Sequence, residues 1–150
     1  MKYCKNCKKS RCNNNYKAEI VATTLTTNAI TPLILNNDCD NCCGIIIANN
    51  SIIFNHPGVY SVSGYVNITN QSTGLTNVAV MANILSNNNN SVINPNSITY
   101  SGIKINLPYT GSFDFIVQVN MPNTVLQLTI RSTSTPTIIS CGKIKIARMV

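Results

Sequence analysis

Ser51-Ile-Ile-Phe-Asn-His-Pro-Gly-Val-Tyr-Ser-Val-Ser-Gly-Tyr-Val-Asn-Ile68 carries the clearest structural signal in the chain. Pro57-Gly58 signals a turn, because proline fixes φ and glycine tolerates positive φ. Beyond it the side chains alternate. Tyr60, Val62, Gly64, Val66 and Ile68 point one way, and Val59, Ser61, Ser63, Tyr65 and Asn67 the other. Period-two alternation rich in β-branched and aromatic residues marks a half-buried strand. The short apolar run Ile52-Ile53-Phe54 just before it reads as a hairpin partner entering that strand.

Upstream, residues 1–17 have no periodicity and read as an extended arm, about 55 Å long when fully stretched. Residues 19–26 follow as a first strand, residues 32–35 as a short edge segment, and 36–44 as a polar turn. Ile45-Ile46-Ile47 and Ile52-Ile53-Phe54 flank Asn49-Asn50, which has the residue type of a hairpin turn. Downstream, residues 70–74 are a loop, 77–85 a strand, and 87–90 an asparagine-only loop. Residues 97–100 and 102–107 alternate, and Pro108 to Gly111 is expected to turn the chain. Strands at 112–121 and 124–131 are separated by Pro122-Asn123, and a Ser/Thr/Pro loop leads to a last strand. No segment of ten or more residues carries apolar i, i+3, i+4 spacing. The chain reads as all-β, with eight to ten antiparallel strands in a sandwich or barrel.

A chain of 150 residues fits one domain. Only 10% of its residues are charged, against about a quarter in ordinary globular domains. A polar surface of Asn, Ser and Thr repels itself weakly, which suits a protein that assembles. The net charge of +7 is uneven: Lys2, Lys5, Lys8, Lys9, Arg11 and Lys17 all fall within the first 17 residues. Such an arm could meet an anionic surface, but it lacks the interleaved arginines and aromatics of a nucleic-acid platform. No stretch approaches the ~18 apolar residues of a membrane span. No apolar segment follows the basic N-terminus, so no Sec signal is expected.

Residues 77–85 are apolar on both faces of a strand. Val78, Val80 and Ile84 oppose Ala79, Met81 and Leu85, and Ile116 interrupts an otherwise polar face further on. One face must pack the core, so the other needs a second cover. Ala79, Met81, Leu85 and Ile116 are therefore the candidate oligomer interface.

Pro-Gly-Val-Tyr at residues 57–60, after a short Ile-x-Phe segment, resembles the start of the long central strand of C1q/TNF-like jelly rolls. Gly142-Lys-Ile-Lys-Ile-Ala-Arg-Met-Val150 resembles that family's last strand. The resemblance covers residues 18–150 and implies a jelly-roll domain there, preceded by a 1–17 connector arm. The nearest likenesses are bacterial: the C-terminal domains of collagen-like exosporium glycoproteins, and endospore appendage fibre subunits. The chain departs from the former in having no Gly-X-Y repeat. The family is typically trimeric, packing through apolar strand faces.

There are 7 cysteines. Six form two clusters, Cys4-x2-Cys7-x4-Cys12 and Cys39-x2-Cys42-Cys43, and Cys141 stands just before the last strand. The spacing of Cys4, Cys7, Cys39 and Cys42 suits a tetrahedral Zn2+ site, although no glycine or aromatic knuckle accompanies it. Cross-linking explains more of the pattern. Basic neighbours favour thiolate in the arm, an odd total leaves a thiol without an intrachain mate, and vicinal Cys42-Cys43 can face two partners. In the appendage subunits a cysteine-bearing N-terminal connector bonds the next subunit. The resemblance thus implies that role for Cys4, Cys7 and Cys12, with Cys39, Cys42, Cys43 and Cys141 as acceptors. A thioredoxin-like role would need a βα context that the chain lacks.

Catalysis is not expected. His56 is the only histidine, the four acids are scattered, and there is no phosphate-binding glycine loop or Gly-x-Ser-x-Gly elbow. The expectation is a structural subunit with no cofactor. It self-associates as trimers stacked into a disulfide-stapled fibre or coat on a bacterial spore, with an anchoring or tip protein as a further partner. The rival readings are a C1q-like adhesin or phage decoration module binding through loops 70–74 and 87–90, and a zinc-stabilised small domain.

Overall fold

The computed structural model describes residues 15–37, 44–85 and 92–149. In chain order these form β1 (Asn15–Ile20), β2 (Thr23–Leu25), β3 (Thr31–Pro32), β4 (Leu35–Asn37), β5 (Ile45–Ala48) and β6 (Ser51–Phe54). There follow β7 (Gly58–Asn70), β8 (Thr76–Leu85), β9 (Val92–Ile103), β10 (Pro108–Val119), β11 (Thr124–Ser132) and β12 (Thr137–Arg148). No helix occurs among the described residues. One sheet has the order β10-β7-β12-β1-β4, with β2 added to β12; the other is β5-β6-β11-β8-β9, with β3 added to β11. Neighbouring strands are antiparallel throughout. The two sheets face each other across one core, and the chain passes repeatedly from one to the other. This is a jelly roll. The strand count exceeds eight to ten because β2, β3 and β4 are only 2 or 3 residues long.

The alternation along β7 holds: Tyr60, Val62, Val66 and Ile68 are buried at 1% exposure or less. They pack with Phe113, Phe115 and Val117 of β10 and Ile139, Ile144 and Ile146 of β12. The opposite sheet contributes Ile52, Phe54, Val78, Val80, Leu126, Leu128 and Ile130. Asn49 and Asn50, at φ 49° and 58°, close the β5–β6 hairpin. Two positive φ angles define the turn whose twist matches paired strands, and asparagine tolerates them.

Three expectations need correction. The run 52–54 is not a hairpin partner of β7: β6 pairs with β5 and β11 in the other sheet. Residues 55–57 carry the chain across the sandwich, so Phe54 and Tyr60 meet from opposing sheets, ring centroids 4.4 Å apart. The Tyr60 hydroxyl donates to the His56 carbonyl at 2.8 Å and pins that crossing. Pro108 to Gly111 is strand rather than turn, and the turn falls at Asn106, which takes φ 56°. The first strand starts inside the stretch read as the arm, because Tyr16 reaches the core at 3% exposure.

The open sides of the sandwich are latched. On one, the Asn50 Oδ1 accepts the Leu35 backbone N–H at 3.2 Å. On the other, the Tyr100 hydroxyl donates to the Ser112 carbonyl at 2.7 Å, its ring lying where Gly111 has no side chain.

Candidate functional site

Cys141 is displayed by a β-bulge. Ile139 pairs with Ile68, and then Cys141 pairs with Asn67, leaving Ser140 as the extra residue. A bulge resets the alternation by one. Ser140 and Cys141 therefore both face solvent, while Ile139 and Ile144 both face the core. The Cys141 thiol is free and exposed. Its Sγ accepts the Asn67 amide at 3.0 Å, and Asn67 Oδ1 accepts the Thr110 hydroxyl at 2.7 Å. A polar row thus crosses β10, β7 and β12 and ends on sulfur.

Cys4, Cys7, Cys12, Cys39, Cys42 and Cys43 lie outside the described residues, as does the zinc alternative built on four of them. The points where the chain leaves the fold towards them are described. The arm departs at Asn15, which pairs with Ala147, and residues 38–43 depart after Asn37, which pairs with Ala18. The chain returns at Gly44, whose carbonyl accepts the Asn55 N–H at 2.8 Å. Cys141 lies within β12, next to the Ile20–Gly142 pair and four residues in from the strand's start at Thr137. Six residue steps along β12 separate it from Ala147, about 20 Å at ~3.3 Å per residue. Asn15 and Cys141 are therefore about 20 Å apart along one sheet, and Asn37, level with Ala18 and Ile144, lies about midway between them.

The interface candidates divide between two faces. Ile116 lies on the outer face of the β10-containing sheet, 53% exposed. Ala79, Met81 and Leu85 lie on the outer face of the other sheet, half-buried beside Asn83 and Thr129. The Asn83 amide donates to the Thr129 hydroxyl at 2.9 Å there. The four residues do not form one patch. His56 is exposed, and its ring packs against Gly44.

The loop end of the sandwich is tied by polar groups. Asn70 is fully buried; its amide donates to the Gly74 and Ile103 carbonyls, and its Oδ1 accepts from the Ser72 N–H and hydroxyl. Thr76, Ser132 and Thr137 form a buried hydroxyl chain with 2.9 Å links. These groups are consumed in holding loops. Leu75, Ile105 and Leu107 stand out from the same end at 64%, 40% and 55% exposure. Sequence reading missed the lysines of the β12–β1 pair, whose juxtaposition depends on register: Lys17 faces Lys145, and Glu19 faces Lys143.

No protein-family model matches the chain, and no curated protein matches it in sequence. Solved structures do match its fold. Murine APRIL at pH 5.0 superposes with a TM-score of 0.63 at 8% identity, covering 90% of this chain and 99% of that one. Eiger TNF from S. frugiperda gives 0.57 at 12% identity over 91% and 93% of the two chains. The infectious bursal disease virus VP2 subviral particle gives 0.62 at 9% identity, and there the match spans 32% of the viral chain. What these matches show is the fold, a jelly roll shared with APRIL, Eiger TNF and the viral VP2.

Proposed function

We propose that the chain is a structural subunit that self-associates and is stapled by its cysteines into a fibre or coat, of the kind found on bacterial spore surfaces. The observation that carries this reading is the polarity of the sheet. The arm leaves the fold at Asn15, six strand positions along the sheet from an exposed Cys141 that carries no disulfide. Stacked head to tail, each subunit presents donors to the acceptor of the next.

The division of the apolar candidates between opposite faces supports an open array. Contacts between two different patches are heterologous, and they generate rings when the rotation closes or filaments when it does not. Ile116 on one face and Ala79, Met81 and Leu85 on the other supply two such patches. The likeness to a viral shell protein is consistent with this use of the fold. The exposed Leu75, Ile105 and Leu107 favour a second reading, a module that binds a partner through its loop end.

A gel of air-purified protein boiled in detergent, with and without reductant, tests the proposal. The expected result is a high-mass ladder that collapses to monomer only with reductant and shortens in the Cys141→Ser variant. Monomer in both lanes would remove the stapled polymer and leave the loop-end reading.

A further inference from the structure

We propose that the outer face of the β10-β7-β12-β1-β4 sheet holds a binding site for a compact oxyanion of two or more charges, phosphate being the simplest. A groove of about 310 Å3 lies there, lined by Lys17, Glu19, Ser63, Tyr65, Lys143 and Lys145. Its floor is backbone at Ala18, Gly64 and Ile144. The floor is low because β7 and β12 approach closely around the Tyr65–Lys143 pair. A side chain at Gly64 would strike the Lys143 carbonyl, and one at Gly142 the Tyr65 carbonyl.

The register fixes the charges. Lys17 and Lys145 are direct cross-strand partners, and like charges so placed in an antiparallel pair destabilise it. Lys143 adds a third ammonium, and Glu19 opposite it supplies the one carboxylate of the lining. Asp114, the other described acid, lies on the same register row but on β10, with Ser63 of β7 intervening before Lys145. Asp114 accepts the Ser61 hydroxyl at 3.1 Å. A dianion between Lys17 and Lys145 turns their repulsion into two attractions. The Ser63 and Tyr65 side chains line the same groove and carry neutral donors for its remaining oxygens. The site is independent of whether the chain polymerises.

Thermal melts of the full chain under reductant test this, in chloride and in inorganic phosphate at matched ionic strength. Phosphate should raise the parent's midpoint in a saturable way, as any ligand of the folded state does. Lys145→Gln should melt higher than the parent in chloride, because the repulsion is gone, and should need more phosphate for the same rise in midpoint. Each of Lys17→Gln and Lys145→Gln should weaken phosphate about two- to fivefold, the usual worth of an exposed ion pair. Lys104→Gln, outside the groove, should respond as the parent does. A chain with Lys2, Lys5, Lys8 and Lys9 all changed to Gln should also keep the response. A Lys145→Gln response equal to the parent's, or its loss in the arm variant alone, would overturn the site.

Discussion

Gly64→Ala tests whether the close approach of β7 and β12 is real. A methyl group at Gly64 points at the Lys143 carbonyl and stands 2.9 Å from the Phe113 Cζ. The phenyl ring can turn aside, but the carbonyl belongs to the paired strand, so the two central strands must separate. Overpacking of this kind costs about 1–3 kcal/mol, and a backbone obstacle belongs at the upper end. Against it stands the gain of about 0.5–1 kcal/mol from replacing a glycine within a strand. The net expected loss is about 2 kcal/mol, a large share of the ~5–15 kcal/mol that holds a domain together. Urea unfolding under reductant measures it, with a midpoint drop of about 1 M for a typical slope near 2 kcal/mol/M. Gly74→Ala is the control: nothing lies within 4 Å of its Cβ position. That variant should be neutral or more stable by up to about 1 kcal/mol, through the unfolded chain. If Gly64→Ala unfolds within about 0.5 kcal/mol of the parent, surface-like behaviour, the approach is not as described and the floor of the lysine groove goes with it.

Burial, with a smaller contribution from Tyr109, pushes the Tyr100 phenol up to about 12, from an ordinary 10.0. The unfolded chain therefore loses its phenolic proton first. Stability should be intact below pH 10 and fall between pH 10 and about 12, as seen in denaturant midpoints, and Tyr100→Phe should flatten that fall. At neutral pH the same variant loses the 2.7 Å bond to the Ser112 carbonyl and about 1 kcal/mol with it. Asn50→Gly satisfies the turn preference at φ 58° yet should destabilise by about 1 kcal/mol, because the Leu35 N–H loses its acceptor; thermal melts decide the sign. Leu128→Ala, at 0% exposure in the middle of β11, should cost about 2–5 kcal/mol by the same urea assay.

What the sequence made legible is local. The β7 alternation and the Asn49-Asn50 turn are short-range signals, and both are found in the fold. The sheet to which a strand belongs is not short-range: Ile52 and Phe54 are equally buried whichever sheet carries them, so pairing with β11 could not be read off. Pro108 misled for a related reason. Proline costs nothing at the first residue of an edge strand, and Gly111 is there to admit the Tyr100 ring rather than to turn the chain. The bulge that displays Cys141 did leave a trace. Ile139 and Ile144 are an odd number of positions apart, so unbroken alternation cannot bury both; both are buried, and one extra residue must intervene. The Lys17–Lys145 pair left none, because it is a matter of register alone.

The same register decides which disulfides can be intramolecular. Cys12 is three residues from Asn15, so its Cα lies within about 11 Å of it, at ~3.6 Å per residue fully extended. A disulfide spans at most about 7 Å between Cα atoms. Together these reach about 18 Å. Asn15 pairs with Ala147, and Cys141 is six strand residues further along, about 20 Å away. Cys12 therefore falls short of its own Cys141 even with every bond extended, whereas Cys4 and Cys7, with longer tethers, can fold back to it. A peptide map containing a Cys12–Cys141 bond is thus evidence for two joined chains without any measurement of mass. A map containing only Cys4–Cys141 or Cys7–Cys141 leaves the choice to mixed-isotope chains, in which an intermolecular bond must show heavy–light pairs. If those bonds prove intramolecular, the arm closes back along its own subunit, and the sheet's polarity ceases to argue for a polymer.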